Sequence, residues 1–113
     1  MHELGIMYHV VEQVSRVVVE NNLSTVEALV LQVGENASVV PRYLEACFPA
    51  AVDGTALEKT KLEIEMLPAN AICNSCGKVY GLTGHEHACP FCESLDFDVI
   101  SGKEFLIKEI RGF

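Results

Sequence analysis

Apolar residues recur at helical spacing from the very start of the chain. Leu4, Met7, Val10, Val11, Val14, Val17 and Val18 fall on one face, and Glu12, Gln13, Arg16 and Glu20 on the other. That pattern predicts an amphipathic helix over residues 3–21, stopped by Asn21-Asn22. Residues 25–33, rich in Val, Leu and Ala, predict a strand buried on both faces and ending at Gly34. A second helix is predicted over residues 39–51. Ser38 suits its N-cap, and Pro41 falls in the first turn, where the missing N–H costs little. Val40, Tyr43, Leu44, Cys47 and Phe48 form its apolar stripe, and Pro49 is expected to tighten it or end it early. Cys47, alone on that stripe, reads as a packed core thiol.

Residues 61–67 alternate. Leu62, Ile64 and Met66 face one way and Lys61, Glu63 and Glu65 the other, as in a half-buried strand. Residues 103–110 predict a further strand with less regular alternation. Between these strands lies a cysteine-bearing segment bounded by Pro68-Ala69-Asn70 and Ser101-Gly102. The expected fold is therefore α+β: two helices packed on a small, mainly antiparallel sheet, with an inserted zinc-ribbon module. The domain boundaries follow, with residues 1–69 and 101–113 in one domain and 70–100 in the other.

The composition narrows the function classes. At 113 residues and 50% hydrophobic, the chain has enough apolar side chain to fold as one ordinary domain with a small metal-stapled module. No apolar run approaches the roughly 18 residues of a membrane helix, and the start lacks the pattern of a signal peptide. A net charge of −8 disfavours nucleic acid, whose phosphates need Lys and Arg. CxxC spacing in a chain without an export signal favours metal ligation over disulfides and places the protein in a reducing cytoplasm.

The strongest motif is C-x2-C-x12-C-x2-C, formed by Cys73, Cys76, Cys89 and Cys92. Two residues between thiols let a tight turn aim both sulfurs at one ion, and two such turns complete a tetrahedron. Gly77 permits the first turn and Pro90 stiffens the second. Four sulfurs leave no open position, so the site should be structural, with zinc favoured over its rivals, a rubredoxin-like iron or a disulfide pair. His85 and His87 lie just before Cys89, as exposed loop residues or as accessory metal ligands.

A second donor set opens the chain. Met1 is normally retained before a bulky residue such as His2, so the Met1 amine, the His2 amide and the His2 ring stand as consecutive nitrogen donors, with Glu3 beside them. Fused chelate rings of this kind favour planar Ni(II) or Cu(II) over tetrahedral zinc. Read without the metal, the same residues are the first turn of a helix with Glu3 at its positive end. His9, on the same helix, is a further donor or a packed side chain. No nucleophile–base pair, phosphate-cradling loop or open zinc position points to an enzyme.

Taken together, Met1-His2-Glu3, Gly34-Glu35, Ser38-Val39-Val40-Pro41, Leu62-Glu63-Ile64-Glu65 and the four cysteines resemble the hydrogenase nickel-incorporation family, HypA, over essentially the whole chain. The resemblance implies a nickel-binding α/β domain and a zinc-ribbon domain. It implies transferable Ni(II) on Met1, His2 and Glu3 and structural zinc on the four cysteines. It further implies a cytoplasmic, non-enzymatic metallochaperone that serves the large subunit of [NiFe] hydrogenase together with a HypB-type GTPase, and in some organisms urease and its accessory proteins. In some relatives, histidines flanking the cysteine pairs couple the two metal sites, a part that falls to His85 and His87 here. Glu93 departs from the pattern, because many ribbons have Gly after the second CxxC. A rubredoxin-like or nucleic-acid-binding ribbon is the alternative that the cysteines alone allow.

Overall fold

A computed structural model describes residues 2–113, with side chains from Glu3 onward. In chain order the elements are α1 (His2–Glu20), β1 (Val26–Gly34), α2 (Pro41–Val52), β2 (Lys61–Leu67), β3 (Asn70–Cys73), β4 (Val79–Gly81), β5 (Phe97–Ser101) and β6 (Phe105–Gly112). They fall into two compact units. The first takes the chain up to Gln32, then Val39–Glu65 and Leu106–Phe113; the second takes Val33–Ser38 and Met66–Phe105.

The helical pattern of α1 works as its spacing requires. Met7, Val10, Val11 and Val14 are buried, while Val17 and Val18 are half-buried near its end. β1 is the middle strand of the order β2-β1-β6. Its ends pair oppositely with β6: Thr25 and Phe113 exchange two backbone hydrogen bonds, and the Gly34 N–H donates to the Glu104 carbonyl. That is antiparallel pairing. Along β2 the contacts advance together instead, from the Thr60 hydroxyl on the Val26 carbonyl to the Gln32 amide on Glu65. β1 and β2 therefore run parallel, joined through α2 as a crossover.

β1 is buried on both faces, and the second covering is ionic. Lys108 pairs with Glu65 at 2.7 Å and Arg111 with Glu63 at 2.7 Å. Because β2 and β6 flank β1, these ion pairs link its two neighbours across it, with all four charged side chains partly exposed. The Lys108 ammonium, with Gln32, holds the Glu65 carboxyl below its ordinary range, and Glu65 raises Lys108 in turn.

α2 departs from expectation at its start and ends within one residue of the predicted limit. Its N-cap is Val40, not Ser38, and no side chain of its own caps it. Pro49 lies inside the helix, which continues to Val52. The carbonyl that Pro49 leaves without its N–H partner belongs to Glu45, and both residues are exposed, where such a loss costs least. Leu44, Cys47, Phe48, Ala51 and Val52 are buried, whereas Val40 and Tyr43 are exposed. The closing strand begins at Phe105 instead of residue 103, after Gly102 takes φ +96°, a left-handed turn that its contact with Ala69 leaves no room to fill.

In the second unit a three-stranded antiparallel sheet in the order β4-β3-β5 pairs Ala71 with Tyr80 and Val99. These short strands carry no alternation strong enough to predict. Their core is small: Ala69, Ala71, Cys73, Tyr80, Leu82 and Cys89, with Phe97 and Val99 packed beside it. No described helix is long and apolar enough to cross a membrane.

Candidate metal centre

The two cysteine pairs sit in matching turns. β3 ends at Cys73, and the chain reverses through Asn74-Ser75-Cys76-Gly77 into β4. The Cys73 N–H donates to the Lys78 carbonyl and the Gly77 N–H to the Cys73 carbonyl, both at 2.9 Å. In the second turn the Cys89 N–H donates to the Ser94 carbonyl at 2.9 Å and the Glu93 N–H to the Cys89 carbonyl at 2.8 Å. The first sulfur of each pair accepts a backbone N–H at 3.4 Å, from Cys76 on Cys73 and from Phe91 on Cys89. Gly77 and Glu93 occupy the same place in the two turns, with φ of +76° and +64°. The departure at Glu93 therefore keeps the glycine geometry, at the cost of placing a side chain in a left-handed conformation.

Side chains lock the turns together. Asn74 bonds Asp96 twice, by its N–H to the Asp96 carbonyl at 2.9 Å and by its amide to Oδ1 at 3.0 Å. The hydroxyls of Ser75 and Ser94 meet at 2.8 Å. The four sulfurs consequently lie within 4.8 Å of one another, with Cys73–Cys92 at 3.5 Å and Cys76–Cys89 at 3.8 Å. A tetrahedral ion with metal–sulfur bonds of about 2.3 Å needs sulfurs about 3.8 Å apart, so the set fits one.

The electrostatics ask for a cation. Backbone N–H donation, first from Cys76, draws the Cys73 thiol down to about 6. Cys92 is pushed up to about 12: the Ser94 N–H favours its thiolate, but the neighbouring sulfurs, Cys73 foremost, and burial outweigh that bond. One thiolate is easily made, and further negative charge is resisted until a metal neutralises it. Tyr80 lies against this cluster, its hydroxyl buried and unpaired among the described residues. Burial raises its pKa first, and the thiolates of Cys89, Cys73, Cys92 and Cys76 add to that.

The ligand group brought together among the described residues is Cys73, Cys76, Cys89 and Cys92. His85 and His87 are exposed and lie outside it; the His85 ring meets Tyr80 edge-on, with centroids 6.5 Å apart. Glu86 between them is held below its ordinary range by backbone N–H groups, its own first and then that of Gly84. Cys47 is buried in the first unit and is not among the four sulfurs. At the start of the chain, Met1 and the His2 side chain lie outside the described residues. Glu3 is only 7% exposed, and its Oε2 accepts the Val40 N–H at 3.3 Å. His9 is exposed.

Residues 1–112 match the family model described as hydrogenase/urease nickel incorporation, metallochaperone, hypA. The chain belongs to the HypA family. It is 40% identical over 113 residues to the hydrogenase maturation factor HypA of Chlorobium limicola, covering 97% of this chain and 95% of that protein. The HypA of Geobacter metallireducens is 36% identical, at 98% of each chain. The solution structure of the Ni metallochaperone HypA from Helicobacter pylori shares the fold, with a TM-score of 0.66 over 97% of this chain and 96% of that one at 16% identity. A second HypA solution structure gives a TM-score of 0.72 over 100% and 97%.

Within this HypA-family chain, sequence reasoning located the four sulfurs but missed the residues that fix them. Asn74, Ser75, Ser94 and Asp96 are polar neighbours of cysteines, and short polar side chains beside a tight turn were the available signal. Tyr80 gave no signal, because its burial depends on packing with residues distant in the chain, Ala71, Cys89 and Phe97 among them.

Proposed function

We propose that this chain is a nickel metallochaperone that binds Ni(II) at its N-terminus and delivers it for maturation of [NiFe] hydrogenase, with zinc held permanently by Cys73, Cys76, Cys89 and Cys92. The observation that carries the reading is the closed four-sulfur set in a chain of the nickel-incorporation family. A tetrahedron filled by protein sulfur has no position for cargo, so a transferred ion needs other donors. The Met1 amine, His2 amide and His2 ring supply nitrogen, the ligand type suited to nickel, with Glu3 as the acidic neighbour.

Release follows from the same donors. Amines and imidazoles titrate near 8 and near 6.5, so protons compete for this site close to neutral pH. The reading includes a cytoplasmic setting, no enzymatic step, and delivery to the hydrogenase large subunit with a HypB-type GTPase. Urease and its accessory proteins are the recipients where that enzyme is present.

The test is the metal content of untagged protein after nickel exposure and desalting. Wild type should retain nickel and zinc, whereas His2→Ala should keep zinc and its circular dichroism but lose nickel. Nickel displacing zinc from the sulfurs, with His2→Ala unaffected, would sink the reading. Iron in the purified protein would instead colour it red and identify a rubredoxin-like centre.

A further inference from the structure

Glu3 is the one charged side chain in the buried set of the described residues. A buried carboxylate is costly unless it is hydrogen-bonded. Its Oε2 accepts the N–H of Val40, a residue 37 positions later in the chain. Val40 is the N-cap of α2, in extended conformation, and its own side chain caps nothing. The carbonyl of Val40 accepts from Tyr43 and Leu44 in the first turn of the helix, but its N–H precedes the helix and has no intrahelical partner. A valine side chain offers no acceptor, so α1 supplies one from outside. The positive end of α2 favours the negative charge placed there.

The same bond acts back on α1. The first turn of a helix at a chain end frays unless it is tied down, and Glu3 ties it. Building on the nickel reading above, we infer that Glu3 is the positioning residue of the terminal nickel site: its carboxylate caps α2 at Val40 and so docks the first turn of α1, while nickel takes its donors from other groups. The inference turns on a difference between two roles. A cap needs an acceptor oxygen, which glutamine also has; a metal-binding carboxylate needs the negative charge, which glutamine lacks.

Untagged wild type, Glu3→Gln and Glu3→Ala are compared by nickel titration and by hydrogen exchange at the Val40 amide. Glu3→Gln should bind nickel close to wild type and keep Val40 protected. Glu3→Ala should expose Val40 to exchange and lose roughly 10–100-fold in nickel affinity, the range typical for residues that orient metal ligands. Zinc content should be unchanged in both variants, which separates a local effect from unfolding. Loss of nickel in Glu3→Gln as deep as in Glu3→Ala, with Val40 still protected, overturns the inference and makes the carboxylate a ligand. Equal Val40 exchange in all three proteins also overturns it. Should wild type take no nickel at its start, the nickel reading fails separately. Val40 exchange then decides the cap alone: protection kept in Gln and lost in Ala upholds it.

Discussion

Glu93 and Gly77 are a matched pair of positions carrying unmatched residues. Both close a cysteine turn with positive φ, but a side chain in that conformation costs about 1–2 kcal/mol, whereas glycine adopts it freely. Glycine also gives up about 0.5–1 kcal/mol in unfolded-chain entropy, so the net gain is the smaller difference. Glu93→Gly is therefore expected to stabilise the zinc-loaded protein by up to about 1 kcal/mol, read as a rise in unfolding midpoint. Gly77→Ala meets no steric neighbour, so it should be destabilising through φ, by the same net difference of up to about 1 kcal/mol once the entropy recovered by replacing glycine is subtracted. If both substitutions prove neutral, the two turns are not locked as the hydrogen bonds imply. The sequence made the cysteines and the missing glycine visible. It did not show that Glu93 nevertheless takes the glycine conformation, because the bonds that hold it there come from the backbone of Cys89.

At the scale of elements, periodicity is legible where an element has a sustained apolar face. α1, β1 and β2 were readable for that reason, and α2 in its middle. The start of α2 was not, because the cap at Val40 comes from another helix. β3, β4 and β5 are shorter still, three to five residues each, and they owe their sheet to the cysteine turns. Their core of six buried side chains is too small to stand on apolar burial alone. Withdrawing zinc with a chelator should thus unfold these strands, seen as lost amide dispersion for Ala71, Tyr80 and Val99, while Leu29 and Leu31 stay protected. The pH dependence has a definite sign. Cys73 has a depressed pKa, so its thiolate is present above about 6 and becomes protonated as pH falls through that value. Zinc affinity should fall more steeply with acid below that point, and zinc loading at pH 7.5 should release protons, Cys92 among their sources. Both are measurable by chelator competition and by a pH dye in weak buffer; loading without proton release contradicts the thiol assignment.

For the molecule as a whole, two ligand chemistries imply two responses to the same change in conditions. Thiolate cages resist mild acid because four ligands must be lost together, whereas an amine and an imidazole are protonated between about pH 8 and 6. Nickel affinity should fall across pH 7.5 to 6 by a factor of ten or more, on the order of one proton per decade, with zinc retained throughout. Equal nickel affinity at both pH values would place the ion on ligands already deprotonated at pH 6. A short N-terminal extension makes the sharper test, because it converts the Met1 amine into an amide without altering any side chain. The extended protein should keep its fold, its zinc and the Glu3–Val40 bond, yet lose nickel. An extension that leaves nickel affinity intact removes the amine from the ligand set and shifts the site onto the His2 ring and its neighbours.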